Sequence, residues 1–220
     1  MKDLYIHIGF PRTATTTLQL RLFKNHKDLN YLGRFPNRIP SHHETINKIL
    51  YYTNQEFTKN FKELSDEVKN LFLCSSKSNL ISDEFFLLRD LLHQKVYVKD
   101  SIHRLNQLCK LNEINLKIIY SVRNQLDVIK SLFPQVFLTS LKTDCDKIIS
   151  SINGVETDNY TSHFLNAFNY HSLDETLTEI VGTDNVYVIF YEKLIACKEE
   201  YFKEISTILN ISNKETSKLL

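Results

Sequence analysis

The chain has 220 residues, 42% of them hydrophobic and 24% charged, and its formal net charge is +1. Length and composition fit a single domain, 1–220, with a large core. The charge balance excludes a global field directed at nucleic acid or an anionic membrane, so any anion binding must be local. The apolar run "LYIHI" (4–8) predicts a buried strand, residues 15–25 a helix, and 30–45 a long polar loop that includes "HHE" (42–44). Phe57, Phe61, Leu64, Val68, Leu71 and Phe72 recur at spacings of three and four, which predicts one amphipathic helix over 56–73. "NLIS" (79–82) is a short strand, and "DSIHRLNQLCKLN" (100–112) a helix that opens with an N-cap candidate. "LKIIYSV" (116–122) is a strong strand, followed by a helix over 125–133 capped by Asn124. Residues 160–181 are helical, "NVYVIFYEKL" (185–194) is a third strong strand, and 198–209 a further helix. The ending, "NISNKETSKLL", yields no finishing element, which implies a truncated chain or a frayed helix.

The strands are nearly continuous apolar runs with helices between them. That pattern predicts an α/β fold, a central parallel sheet covered by helices on both faces. Four cysteines (Cys74, Cys109, Cys145, Cys197) are scattered without a CxxC pair, so buried free thiols are expected, not disulfides or zinc. The eight histidines show no metal-ligand spacing. His7 lies inside the first strand as a packed core residue, and His93, His103, His163 and His171 carry no motif. The opening "MKDLYIHIGF" lacks the apolar core of a signal peptide, and no apolar run spans a bilayer. The expected compartment is therefore the cytoplasm.

Chemistry concentrates in "IGFPRTATTTLQ" (8–19), at the junction of the first strand and its helix. In a parallel α/β sheet, ligands bind beyond the carboxyl ends of the strands. A helix N-terminus there offers free N–H groups and a partial positive charge to a phosphate or sulfate. Arg12 adds a permanent forked cation, and Thr13, Thr15, Thr16 and Thr17 add four hydroxyls. One threonine would suffice to cap a helix. The P-loop pattern is half present: Gly9, four residues, then Ala14-Thr15-Thr16, where a phosphate-binding loop of nucleotide kinases has Gly-Lys-Ser/Thr. The spacing survives, but the lysine that reaches the outer phosphates does not.

This stretch resembles the 5′-phosphosulfate loop of sulfotransferases, which commonly reads Pro-Lys-Thr/Ser-Gly-Thr-Thr. Two further matches follow in order. In "IIYSVRNQLDVIKSLF", Arg123 ends a strand and Ser131 lies eight residues on, similar to the pair that binds the cofactor's 3′-phosphate. "VYVIFYEKL" resembles the late strand ending in Tyr-Glu-Asp-Leu, whose tyrosine, here Tyr191, lies near adenine. The resemblance implies a fold like that of P-loop nucleotide kinases, the donor 3′-phosphoadenosine 5′-phosphosulfate (PAPS), the product PAP, and in-line sulfuryl transfer to an acceptor. It assigns cofactor binding to Arg12, Thr13, Ala14, Thr15, Thr16, Thr17, Arg123, Ser131 and Tyr191. Arg12 stands where the family has lysine and is also expected to stabilise charge on the departing nucleotide. Ala14 stands where it has glycine, a change that suits a loop residue with negative φ.

The acceptor needs a base, and "NLISDEFF" (79–86) places Asp83 and Glu84 after a short strand. Glu84 is the candidate, with Asp83 as substitute; a plain alternative is that both acids favour a helix dipole. A carboxylate in place of the histidine of phenol- and steroid-sulfating relatives implies a small-molecule or, more narrowly, a carbohydrate acceptor. Two other readings stay open: a non-catalytic PAP- or PAPS-binding homologue, and a P-loop-like nucleotide kinase.

Overall fold

The computed structural model describes residues 2–10, 12–33, 43–84, 86–87, 98–136 and 168–219. Five strands, β1 (Lys2–Gly9), β2 (Leu29–Tyr31), β3 (Ser78–Ser82), β4 (Ile114–Val122) and β5 (Val186–Phe190), form a sheet of order β2-β3-β1-β4-β5. Each pairing among them is parallel. This is the expected α/β architecture, a parallel sheet flanked by helices.

Alternate residues of the strands face two separate cores. Leu4, Ile6, Ile8, Ile81, Leu116, Ile118 and Tyr120 face one side. They pack on helices α2 (Glu44–Tyr51), α4 (Phe61–Leu73), α5 (Val98–Leu111) and α7 (Tyr170–Val181). Tyr5, Leu80, Ile119 and Ile189 face the other side, against Leu18, Leu22 and Phe23 and against α9 (Lys198–Ile208). Burial on both faces is why these strands read as continuous apolar runs.

The helix after β1 is not uniform. It opens as α-helix at α1 (Thr15–Thr17) and widens to a π-helix over Leu18–Phe23. The Lys24 N–H donates to the Gln19 carbonyl five residues back (3.1 Å).

The stretch expected as one helix over 56–73 is two, α3 (Asn54–Lys59) and α4. Thr53 and Glu56 form a capping box that starts α3. At Asn60 the backbone leaves helical geometry, and the Asn60 side chain donates to the Glu56 carbonyl (2.8 Å). A short amide competing for a carbonyl is a known way to stop a helix. β2 and the first residues of α2 occupy the two ends of the stretch expected as loop, 30–45, and His43 is the N-cap of α2, its ring accepting the Thr45 N–H (3.3 Å).

Helix α6 (Gln125–Val136) begins as expected, with the Asn124 side chain accepting the N–H groups of Leu126 (3.1 Å) and Asp127 (3.3 Å). α5 starts before Asp100, which lies in its first turn instead of capping it. The last long strand is shorter than 185–194: β5 ends at Phe190, and Tyr191 opens helix α8 (Tyr191–Ala196). The C-terminal stretch does form an element, α10 (Asn213–Leu219), tied to α9 by a buried hydrogen bond between Ser206 and Thr216 (2.8 Å). Cys109 is buried, but Cys74 is exposed and Cys197 half-buried, so only one of these three thiols fits the expectation. His103 and His171 are exposed on helices. Cys145, His42, His93, His163 and residues 160–167 lie outside the described residues.

Candidate functional site

Parallel pairing brings the strand ends to one edge. His7 lies opposite Ser82, Gly9 opposite Ser121, and Val122 opposite Phe190. Phe10, Arg12, Asp83, Glu84, Arg123, Asn124, Tyr191 and Glu192 therefore leave the sheet side by side.

The loop after β1 folds back on its own strand. The Thr13 hydroxyl is fully buried and donates to the Phe10 carbonyl (2.6 Å), so it holds the loop from inside. Arg12 and Ala14 both adopt left-handed backbone, φ 69 and φ 66. Ala14 thus does not have the negative φ that the sequence reading required of it. Such a conformation costs a non-glycine residue about 1–2 kcal/mol, and the turn is held by the Leu18 N–H donating to the Ala14 carbonyl (3.0 Å). Thr15 is buried, whereas Thr16, Thr17 and Arg12 are exposed.

Gly9 makes this fold-back possible. A Cβ there would lie 2.2 Å from Thr15 Cγ2 and 3.1 Å from Thr13 Oγ1. Gly9→Ala is expected to destabilise the protein by about 1–3 kcal/mol and to weaken PAP binding, read by thermal unfolding with and without PAP; an unchanged ligand-induced shift would count against the loop as the cradle.

Glu84 joins the loop directly: the Thr15 hydroxyl donates to Glu84 Oε2 at 3.3 Å. Glu84 is half-exposed at the site, while Asp83 is buried, its N–H donating to the His7 carbonyl (3.0 Å). Of the two acids, Glu84 is the one a ligand can reach.

Arg123 closes the opposite side. Its Nη1 donates to the Arg12 carbonyl (3.2 Å), and its guanidinium lies 4.6 Å from the centre of the Tyr191 ring. The two basic clusters, more than a hundred residues apart in sequence, are therefore neighbours in space. Ser131 is half-buried on α6, and no hydrogen bond joins it to Arg123 among the described residues.

Beneath the edge runs a buried polar layer that sequence reading did not assemble. His7 Nδ1 meets Ser82 Oγ (2.7 Å), His7 Nε2 meets Ser121 Oγ (2.8 Å), and Gln19 Nε2 donates to Ser82 Oγ (3.2 Å). Burial pushes the imidazole down to about 3, so it is neutral at ordinary pH. Neutral imidazole offers one donor and one acceptor, which two rotatable hydroxyls can match. Each of these three strands carries a polar residue close to its carboxyl end; that signal was legible, but its partners were not.

The residues present fit a phosphorylated, sulfated nucleotide: a loop too tight for a side chain at Gly9, exposed hydroxyls at a helix start, and two arginines at one edge. Among the described residues, no cluster of three or more His, Cys, Asp or Glu is arranged for a metal, and no helix is long and apolar enough to cross a membrane.

Comparison with known proteins agrees with this geometry. The sulfotransferase-domain family matches residues 3–220. The fold is similar to a sulfotransferase from Alicyclobacillus acidocaldarius (TM-score 0.59, 14% identity, covering 97% of this chain and 83% of that one). It is also similar to the sulfotransferase domain from the curacin biosynthetic pathway (TM-score 0.54, 13% identity, 96% and 75%). A weaker likeness is to mouse SULT7A1 complexed with PAP (TM-score 0.45, 16% identity, 99% and 62%). No curated protein sequence matches the chain. With the family matched over nearly its whole length, the chain belongs to the sulfotransferases, enzymes that take a sulfuryl group from PAPS.

Proposed function

We propose that this enzyme sulfates a hydroxyl on a carbohydrate or glycoconjugate, acting in the cytoplasm, with Glu84 as its general base. PAPS, when bound, supplies the sulfuryl group and a nucleotide leaving group. Arg12 and the Thr16 and Thr17 hydroxyls hold the 5′ end, and Arg123, with Ser131, holds the 3′-phosphate. The observation that carries the reading is the Thr15–Glu84 hydrogen bond (3.3 Å), which sets a carboxylate, not an imidazole, beside the phosphosulfate loop. Glu84 takes the proton of the acceptor hydroxyl, and Arg12 favours negative charge on the leaving side. Tyr191, placed by resemblance near adenine, has one face under the Arg123 guanidinium.

Transfer of labelled sulfate from PAPS to parallel panels of saccharides, phenols and amines tests the acceptor. Saccharide labelling is expected; labelling confined to phenols or amines would overturn the carbohydrate assignment. Arg123→Ala is expected to raise KM for PAPS roughly 10- to 100-fold, the worth of charge-assisted hydrogen bonds to a phosphate.

A further inference from the structure

The peptide unit that joins Arg123 to Asn124 is gripped at both ends. Its carbonyl accepts a hydrogen bond from the Tyr170 hydroxyl (2.8 Å), and its N–H donates to Glu192 Oε1 (2.7 Å). The two groups point in opposite directions across one planar amide, so the plane cannot turn without breaking a bond. Burial pushes the Tyr170 hydroxyl up to about 12, which keeps it a donor. Residue 191, adjacent to Glu192, supports the other end of the same arginine through its ring, 4.6 Å from the guanidinium, inside the range of a cation–π contact.

Among the described residues no carboxylate pairs with Arg123; its partners are the Arg12 carbonyl and the Tyr191 ring. Glu192 is close enough to hold the neighbouring backbone, yet it does not neutralise the cation. A clamp serving only the fold would gain nothing from an arginine at its centre that meets no carboxylate among the described residues. We infer that Glu192 is a positioning residue for recognition of the cofactor's 3′-phosphate: with Tyr170 it locks the 123–124 peptide, and with Tyr191 it presents the Arg123 guanidinium to the phosphate. The Tyr191 ring then supports the arginine before it supports the base. This inference rests on the reading of Arg123 as the 3′-phosphate ligand.

Binding of PAP and of adenosine 5′-phosphate, which differ only in the 3′-phosphate, separates the two levels. Wild type is expected to prefer PAP. Glu192→Ala is expected to lose about tenfold in PAP affinity, the equivalent of one hydrogen bond, with adenosine 5′-phosphate affinity unchanged. Glu192→Gln keeps an acceptor for the Asn124 N–H and is expected to bind PAP as wild type does, or more tightly. Tyr170→Phe, which releases the other end of the peptide, is expected to give the same selective loss and serves if Glu192→Ala does not fold. An equal loss on both nucleotides, no loss, or tighter PAP binding by Glu192→Ala would overturn the inference while leaving the Arg123 assignment standing. A wild type without preference for PAP would overturn both.

Discussion

Replacing Glu84 by glutamine is expected to lower the rate of sulfuryl transfer by about 10²–10⁴-fold, the contribution of a well-placed general base, while leaving PAP affinity unchanged. The amide is nearly isosteric, and its oxygen can still accept the Thr15 hydroxyl, now at 3.3 Å from Oε2. The loop should therefore keep its shape. What disappears is the carboxylate proposed to take the acceptor's proton. Single-turnover measurement with saturating PAPS isolates the chemical step from product release. A single-turnover rate within threefold of wild type would remove Glu84 from the chemistry, and Asp83, buried and tied to His7 through its backbone, would be a poor replacement.

The second large effect concerns acid. His7 is neutral in the folded protein, held near 3 by burial, against 6.5 for a free imidazole. Its neighbours, Ser82, Ser121 and the edge-on ring of Phe23 (5.3 Å), are uncharged. An unfolded chain takes up a proton near pH 6.5, whereas the folded chain refuses it until about pH 3. The contribution of His7 to stability is therefore complete above pH 6.5 and falls as pH drops from there towards 3, by about 1.4 kcal/mol per pH unit. Urea unfolding should show a loss of about 3 kcal/mol from this residue between pH 6.5 and 4. His7→Gln, less stable at pH 7, should show a shallower decline. Parallel pH slopes for the two proteins would refute the assignment. Because His7 lies two residues before Gly9 and pairs in register with Ser82, charging it strikes directly beneath the proposed cofactor loop.

Much of this was legible in the chain because the relevant signals are local. Strand runs such as "LKIIYSV" are apolar since both faces are covered, and Asn124 caps α6 since a short amide next to a helix start has few other uses. The loop from Gly9 to Thr17 was legible as the junction of the first strand and its helix, at the carboxyl edge of the sheet. What escaped depended on pairings across the fold. Thr13 counts as a ligand in sequence, but its hydroxyl turns inward to Phe10. Tyr191 reads as strand because "VYVIFY" is continuous in β-formers, yet Glu192 reaches Asn124 from the first turn of α8. Tyr170 and Gln19 carry no motif at all; only the sheet order brings them to Arg123 and Ser82. Ala14 shows the limit most plainly, since its Cβ favours a negative φ and the loop imposes the opposite sign.

The widened turn from Leu18 to Phe23 bears on how this segment changes over evolution. A π-turn is in effect one extra residue inserted into an α-helix. Removing a residue between positions 18 and 23 would let the helix tighten and would swing Gln19 by about 100° away from Ser82. Point substitutions on the exposed side at Leu20 or Arg21 leave that geometry alone. Length, more than identity, is what this segment must conserve, and its insertions and deletions should be rarer than its replacements.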